Sequence, residues 1–146
     1  MIDSPSDIES PDAVIDIEGQ SREYIKDMVA RLEPREMEQL VAGILRAMGF
    51  KTRVSPVGPD RGKDIIASPD GFGFRDPRIV VEVKHRSGQM GSQALRSFLG
   101  GRHPGDRGLY VSTGGFSKDA LYEAERAQVP MTLWTLDDLV RALVEH

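Results

Sequence analysis

Asp64-Ile65-Ile66-Ala67 and Val80-Val81-Glu82-Val83-Lys84-His85 are short runs whose apolar, largely β-branched residues read as strands, yet each carries charge inside it. Burying Asp, Glu and Lys near one another costs several kcal/mol unless they pair or bind a cation, so their positions require an explanation. Side-chain alternation sends Glu82 and Lys84 to one face of their strand and Val81 and Val83 to the other. An Asp on one strand and a Glu-x-Lys on the next are the residue types from which metal-assisted phosphodiester hydrolysis is built. Carboxylates hold a hard cation, and an ammonium beside them meets phosphate or water.

Outward from these runs the pattern predicts a strand, strand, strand, helix, strand, helix, strand, helix order. The strands are expected over Lys51 to Val57, Lys63 to Ser68, Arg78 to His85, Arg107 to Ser112 and Met131 to Trp134. "SPDGFGFRDP" joins the second and third as a hairpin loop, with Pro69-Asp70-Gly71 supplying turn chemistry. A helix from about Arg35 to Met48 precedes them, with Pro34 in its first turn and Gly49 as its left-handed cap. Later helices are expected over Ser92 to Gly100, Ser117 to Gln128 and Leu136 to Val144, with Ser117 and Thr135 as amino-terminal caps. An antiparallel meander followed by βαβ crossovers gives an α/β fold, a mixed central sheet flanked by helices. Residues 1–20, rich in Ser, Pro and Asp, read as an acidic flexible arm, and 21–33 as a helical extension whose Tyr24, Ile25, Met28, Val29 and Leu32 have helical spacing. Residues 34–146 then form the main domain.

The series resembles the Mrr-type restriction endonuclease catalytic domain of the PD-(D/E)XK nuclease superfamily. The resemblance rests on a helix carrying Glu38, then "GPDRGKDIIA" (58–67), "VVEVKHR" (80–86), "ALRSFLGG" (94–101), "GLYVSTGGFSKDAL" (108–121) and "LWTLDDLVRALV" (133–144). It implies a restriction-endonuclease-like fold and a Mg2+-dependent DNA endonuclease, with Mn2+ able to substitute. Asp64, Glu82 and the Val83 carbonyl would hold the metal. Lys84 would orient or deprotonate the attacking water, or stabilise the pentacovalent phosphate. Glu38, at the edge of the apolar stripe Met37, Leu40, Val41, Ile44 and Met48, would supply a further carboxylate, and Gln93 a polar contact from the following helix. Asp60 matches an acidic position in the glycine-rich approach to Asp64 but also reads as part of a turn. Lys63 departs from the pattern, where an apolar residue is expected, and could add a phosphate contact or mark an altered strand start. Arg86, Arg96, Thr113 and Ser117 are further candidates for the DNA backbone, although Ser117 also reads as a helix cap. His85 points away from Lys84 by alternation and is not proposed as a base.

Composition bounds these readings. With no Cys and three scattered His, disulfides, thiol catalysis and cysteine-based zinc sites are excluded. No apolar stretch approaches a membrane span and the acidic start does not resemble a secretory signal, so a cytoplasmic protein without membrane partners is expected. The net charge of −4 is unevenly spread. Residues 1–34 hold three Lys/Arg against nine Asp/Glu, residues 35–118 fourteen against eight, and residues 119–146 two against six. The basic central segment contains the candidate site, which suits double-stranded DNA. The resemblance to a restriction enzyme implies restriction of modified DNA or phage defence. A repair nuclease or junction resolvase, and a catalytically silent DNA-binding module of the same fold, remain alternatives. A second copy of the chain and a separate recognition domain or subunit are the other candidate partners. No Walker-type phosphate loop occurs.

Overall fold

The computed structural model describes residues 11–55 and 64–146, with side chains from residue 17 onward. In chain order these residues form α1 (Pro11–Ala30), α2 (Pro34–Ala47), β1 (Lys51–Val54), β2 (Ile65–Ser68), β3 (Arg78–Lys84), α3 (Ser92–Leu99), β4 (Asp106–Ser112), α4 (Lys118–Glu125), β5 (Met131–Trp134) and α5 (Leu136–Glu145). The five strands make one sheet in the order β1-β2-β3-β4-β5. The first two pairings are antiparallel and the last two parallel, giving the expected mixed α/β sheet. Asp60, Lys63 and the expected strand residues 56, 57 and 63 lie outside the described residues, as do residues 1–10 of the expected arm.

The two parallel steps, β3 to β4 and β4 to β5, move in the same direction across the sheet. Right-handed crossovers therefore place α3 and α4 on one face. There Leu95 and Phe98 of α3 and Ala120 of α4 pack with Val80, Tyr110, Phe116 and Met90. Tyr110 sits edge-on to both Phe98 and Phe116, with centroids 5.4 and 5.7 Å apart, contacts contributing about 1 kcal/mol each beyond their buried area. On the opposite face Met37, Val41, Ile44 and Leu45 of α2 and Leu139 of α5 cover Ile65, Ala67, Val81, Val83, Leu109 and Val111. Alternation along β3 divides its side chains between these two cores.

The helix boundaries follow local chemistry. Glu33 and Glu36 form a capping box at α2 with Pro34 as its first residue, and Gly49, at φ 104°, follows its last turn. Ser117 accepts a hydrogen bond from the Ala120 N–H to start α4, and Thr135 with Asp138 closes a capping box on α5. The amino-terminal reading requires correction. Residues 11–20, expected to belong to a flexible arm, are helical, so α1 begins well before the expected Arg22. Its carboxyl-terminal half docks on the domain through buried Val29 and an ion pair of Lys26 with Asp137 at 2.9 Å. Among the described residues no helix is long and apolar enough to cross a membrane.

At the start of β4, buried Asp106 accepts hydrogen bonds from Arg78 and from the His103 N–H. Burial holds the nearby Arg102 guanidinium below its ordinary pKa, Asp106 opposing that shift and Arg78 adding to it. Removing the carboxylate would leave two cations without their shared counter-charge. Asp106→Asn is expected to destabilise the domain by about 2 kcal/mol, read as a lower urea midpoint with an unchanged slope.

Candidate active site

The pairing of Ile65 with Val81 brings Asp64, the residue before β2, alongside Glu82. Backbone and side chain both fix Asp64 there. Its N–H donates to the Val81 carbonyl at 2.9 Å, its own carbonyl accepts from Ser55 at 2.8 Å, and its Oδ2 accepts the Val83 N–H at 2.7 Å. The Lys84 carbonyl accepts from Thr113 on the β4 side, at 3.1 Å. Because successive carbonyls alternate sides along a strand, that of Val83 faces the β2 side, where the Asp64 carboxylate sits.

Glu82 and Lys84 share the α3 and α4 face, with Nζ 3.3 Å from Oε1. The Glu82 side chain is only 12 % exposed, whereas that of Lys84 is 42 % exposed. Burial raises the Glu82 pKa above its ordinary value; Lys84 opposes the rise and Asp64 adds to it. Glu38 reaches the same neighbourhood from α2. Burial raises its pKa too, Arg35 opposes this by a hydrogen bond, and the charge of Asp64 reinforces it. Arg35 holds Glu38 at 2.9 Å while donating to the Ser55 carbonyl at 2.6 Å, tying α2 to the chain just after β1. The charge of Asp64 thus bears on both Glu82 and Glu38, and that like-charge repulsion is what a cation would relieve.

Beside Glu82 and Lys84 opens a cavity of about 450 Å³, walled also by Arg86, Met90, Ala94, Ser97, Phe98 and Tyr110. Arg86 therefore stands next to the expected centre. Gln93 does not. It is exposed, and its side-chain oxygen accepts from Arg96 at 3.1 Å, while Ala94 and Ser97 present α3 to the cavity. Ser97 was missed by the sequence reading, although its spacing of three from Ala94 on a helix carries the signal. Arg96 is engaged by Glu123 of α4 at 2.9 Å. Thr113 lies 2.9 Å from the His85 ring, whose other nitrogen meets the Leu32 carbonyl at 2.7 Å. His85 thus serves the fold on the face opposite Lys84, as alternation predicts. Ser117 is occupied as the α4 cap.

Among the described residues no group of three or more His, Cys, Asp or Glu side chains converges to hold a metal ion. Two carboxylates and a main-chain carbonyl suit Mg2+ nonetheless, because that ion keeps several waters and takes few protein oxygens. The raised carboxyl pKa values of Glu82 and Glu38 make the same point electrostatically: the site favours added positive charge, whether proton or cation.

A folded-state pKa above the ordinary value of 4.5 means that protonated Glu82 favours folding. That contribution is complete below the ordinary value and is lost as pH rises through the raised one. In metal-free buffer at pH 7, Glu82→Gln is expected to melt above the parent protein, and the gain should shrink as pH falls toward about 4.5 and stay absent below it. Thermal melts across pH 3.5 to 7.5 check both parts.

Residues 29–143 match the Mrr_cat family, described as restriction endonuclease. The chain is 35 % identical over 98 residues to the uncharacterised protein y4cE of Sinorhizobium fredii (strain NBRC 101917 / NGR234), an alignment covering 64 % of this chain and 25 % of that protein. Among solved structures, the MspJI restriction endonuclease in complex with a 27-mer oligonucleotide superposes on 86 % of the chain and 31 % of its own, with a TM-score of 0.59 and 19 % identity. The protein of unknown function AF1548 superposes on 74 % of the chain and 65 % of its own, with a TM-score of 0.53 and 18 % identity. This chain therefore spans about a quarter of y4cE and about a third of MspJI. The structural likeness shows a restriction-endonuclease-like fold, and the family match over residues 29–143 places the chain in the Mrr_cat restriction endonuclease family.

Proposed function

We propose that this chain is the catalytic domain of a divalent-metal-dependent DNA endonuclease, using Mg2+ or Mn2+ to hydrolyse phosphodiester bonds in restriction of modified DNA or in phage defence. The observation that carries this reading is the Asp64 carboxylate fixed on the Val83 N–H beside the Glu82–Lys84 pair. Asp64, Glu82 and the Val83 carbonyl would hold the ion. When bound, a divalent metal supplies Lewis-acid polarisation of phosphate and a more acidic water. Lys84, half exposed at the cavity mouth, meets the negative charge that builds on the phosphate oxygens, and Arg86 neutralises the adjoining backbone. Glu38 holds negative potential behind Asp64 and keeps Arg35 in place. DNA as substrate draws support from the oligonucleotide in the MspJI structure. Choice of target would rest on a separate recognition domain or subunit. Two active sites, one per strand, would require a second copy.

Supercoiled plasmid, methylated or unmethylated, incubated with Mg2+, Mn2+ or EDTA tests the proposal. Nicking that requires the metal and disappears in Asp64→Asn is the expected result, with Lys84→Ala slowed by about 10²-fold or more. Cleavage in EDTA, or full activity in Asp64→Asn, would refute it. Metal binding has a separate readout: Mg2+ or Mn2+ should raise the melting temperature of the parent protein and leave that of Asp64→Asn nearly unchanged.

A further inference from the structure

The β2–β3 hairpin ends in two phenylalanines that the protein holds in solvent. Phe72 is 77 % exposed and Phe74 87 %, with rings stacked at 5.9 Å and 24° between planes. The loop beneath them is built rather than slack. Asp70 accepts the N–H groups of Phe72, Gly73 and Arg75 at 3.0 to 3.1 Å, and the oxygen of buried Ser68 accepts those of Gly71 and Gly73. Hydrogen bonding of this density fixes the tip while leaving its apolar surface uncovered.

Cations surround it. A side chain at Gly71 would strike Lys51, which places that lysine against the tip, and exposed Arg75 lies one residue beyond Phe74. Lys51 and Arg53 of β1 pair in register with Ser68 and Ile66, and Ile66 pairs with Val80. Cross-strand partners share a face, so both cations project on the side of Val80 and Glu82. No residue of β1 or β2 joins the core under α3 and α4; on this face Ser68 is buried and Ile66 half-buried, while Lys51 and Arg53 stand exposed. Among the described residues Lys51, Arg53 and Arg75 enter no ion pair. Asp70 is occupied by backbone N–H groups, which leaves Asp76 as the loop's other carboxylate.

We propose that this face of β1 and β2, with the Phe72–Phe74 tip at its end, is a second contact surface for duplex DNA. Lys51, Arg53 and Arg75 meet phosphates, and the stacked rings press into a base step and unstack it. Apolar wedges on architectural DNA-binding proteins act in this way, and cations without protein partners are what a polyanion requires. Asp64 lies four residues from Ser68 along the strand, so the hairpin begins about 14 Å from the catalytic end, about four base-pair steps along one duplex. The inference rests on the nuclease reading and adds to it a contact that bends or opens DNA beside the cleavage centre.

The test measures binding rather than cleavage, with Ca2+ in place of Mg2+, on a duplex carrying 2-aminopurine at successive positions. The parent protein should bind and brighten the probe at one step. Phe72→Ala/Phe74→Ala should lose the brightening and bind about tenfold more weakly while keeping its melting temperature and salt slope. Lys51→Gln/Arg53→Gln should keep the brightening but reduce the salt slope by about 2. Parent-like affinity and brightening in the phenylalanine variant would overturn the inference while leaving the nuclease reading intact. So would intact DNA binding combined with loss of self-association, which would make the tip a protein contact. A parent protein that binds no DNA would overturn both readings together.

Discussion

The hydrogen bond from the Val83 N–H to the Asp64 carboxylate is the interaction on which the candidate site depends. It stands where β2 begins, and it lets a side chain satisfy a main-chain donor of the central strand. A buried N–H must be paired, so the bond is also a condition of folding. Its consequence is positional. Once Asp64 is bound to Val83, the strand register places it beside Glu82, and alternation places Lys84 on the face of Glu82. A slip of one residue in the β2–β3 pairing would send Ile65 and Ala67 away from their core and Asp64 into it.

The energetic arrangement follows the same division. Stability comes from two apolar cores on opposite faces of the sheet, neither of which needs the charges. At the site the balance is reversed: burial and mutual repulsion raise the pKa of Glu82 and Glu38, so these residues oppose folding at neutral pH unless a counter-charge arrives. Such a local conflict inside an otherwise consistent fold is a physical sign of function rather than of structure. The buried phenol of Tyr110, held protonated well above its usual range mainly by burial, forms an inert wall of the cavity and not a further acid.

Much of this was legible in the sequence because it depends on local periodicity. Strand alternation around Glu82 and Lys84, the caps at Ser117 and Thr135, and the stripe on α2 each need only a few neighbouring residues to be read. What was not legible depends on tertiary choices. Gln93 and Ser97 are both polar residues of α3, and the helix's rotation against the sheet, set by Leu95 and Phe98, turns Ser97 to the cavity and Gln93 to Arg96. Arg96 looks like a free cation until the fold brings Glu123 of α4 to it. The early start of α1 was hidden by Pro11, Asp12 and Asp16, which read as an arm although Pro and acidic residues also suit a helix's first turns. The hairpin's turn chemistry was visible, but the exposure and stacking of Phe72 and Phe74 were not.

Asp64 and the Glu82-Val83-Lys84 segment are proposed to form one cation site. The most direct measurement replaces Mg2+ with Fe2+, adds ascorbate and peroxide, and maps where locally generated radicals cut the protein's own backbone. Cuts grouped near residue 64 and residues 82–84, suppressed by excess Mg2+ and absent in Asp64→Asn, are the predicted result. Cuts elsewhere, or a pattern unchanged in Asp64→Asn, would contradict it.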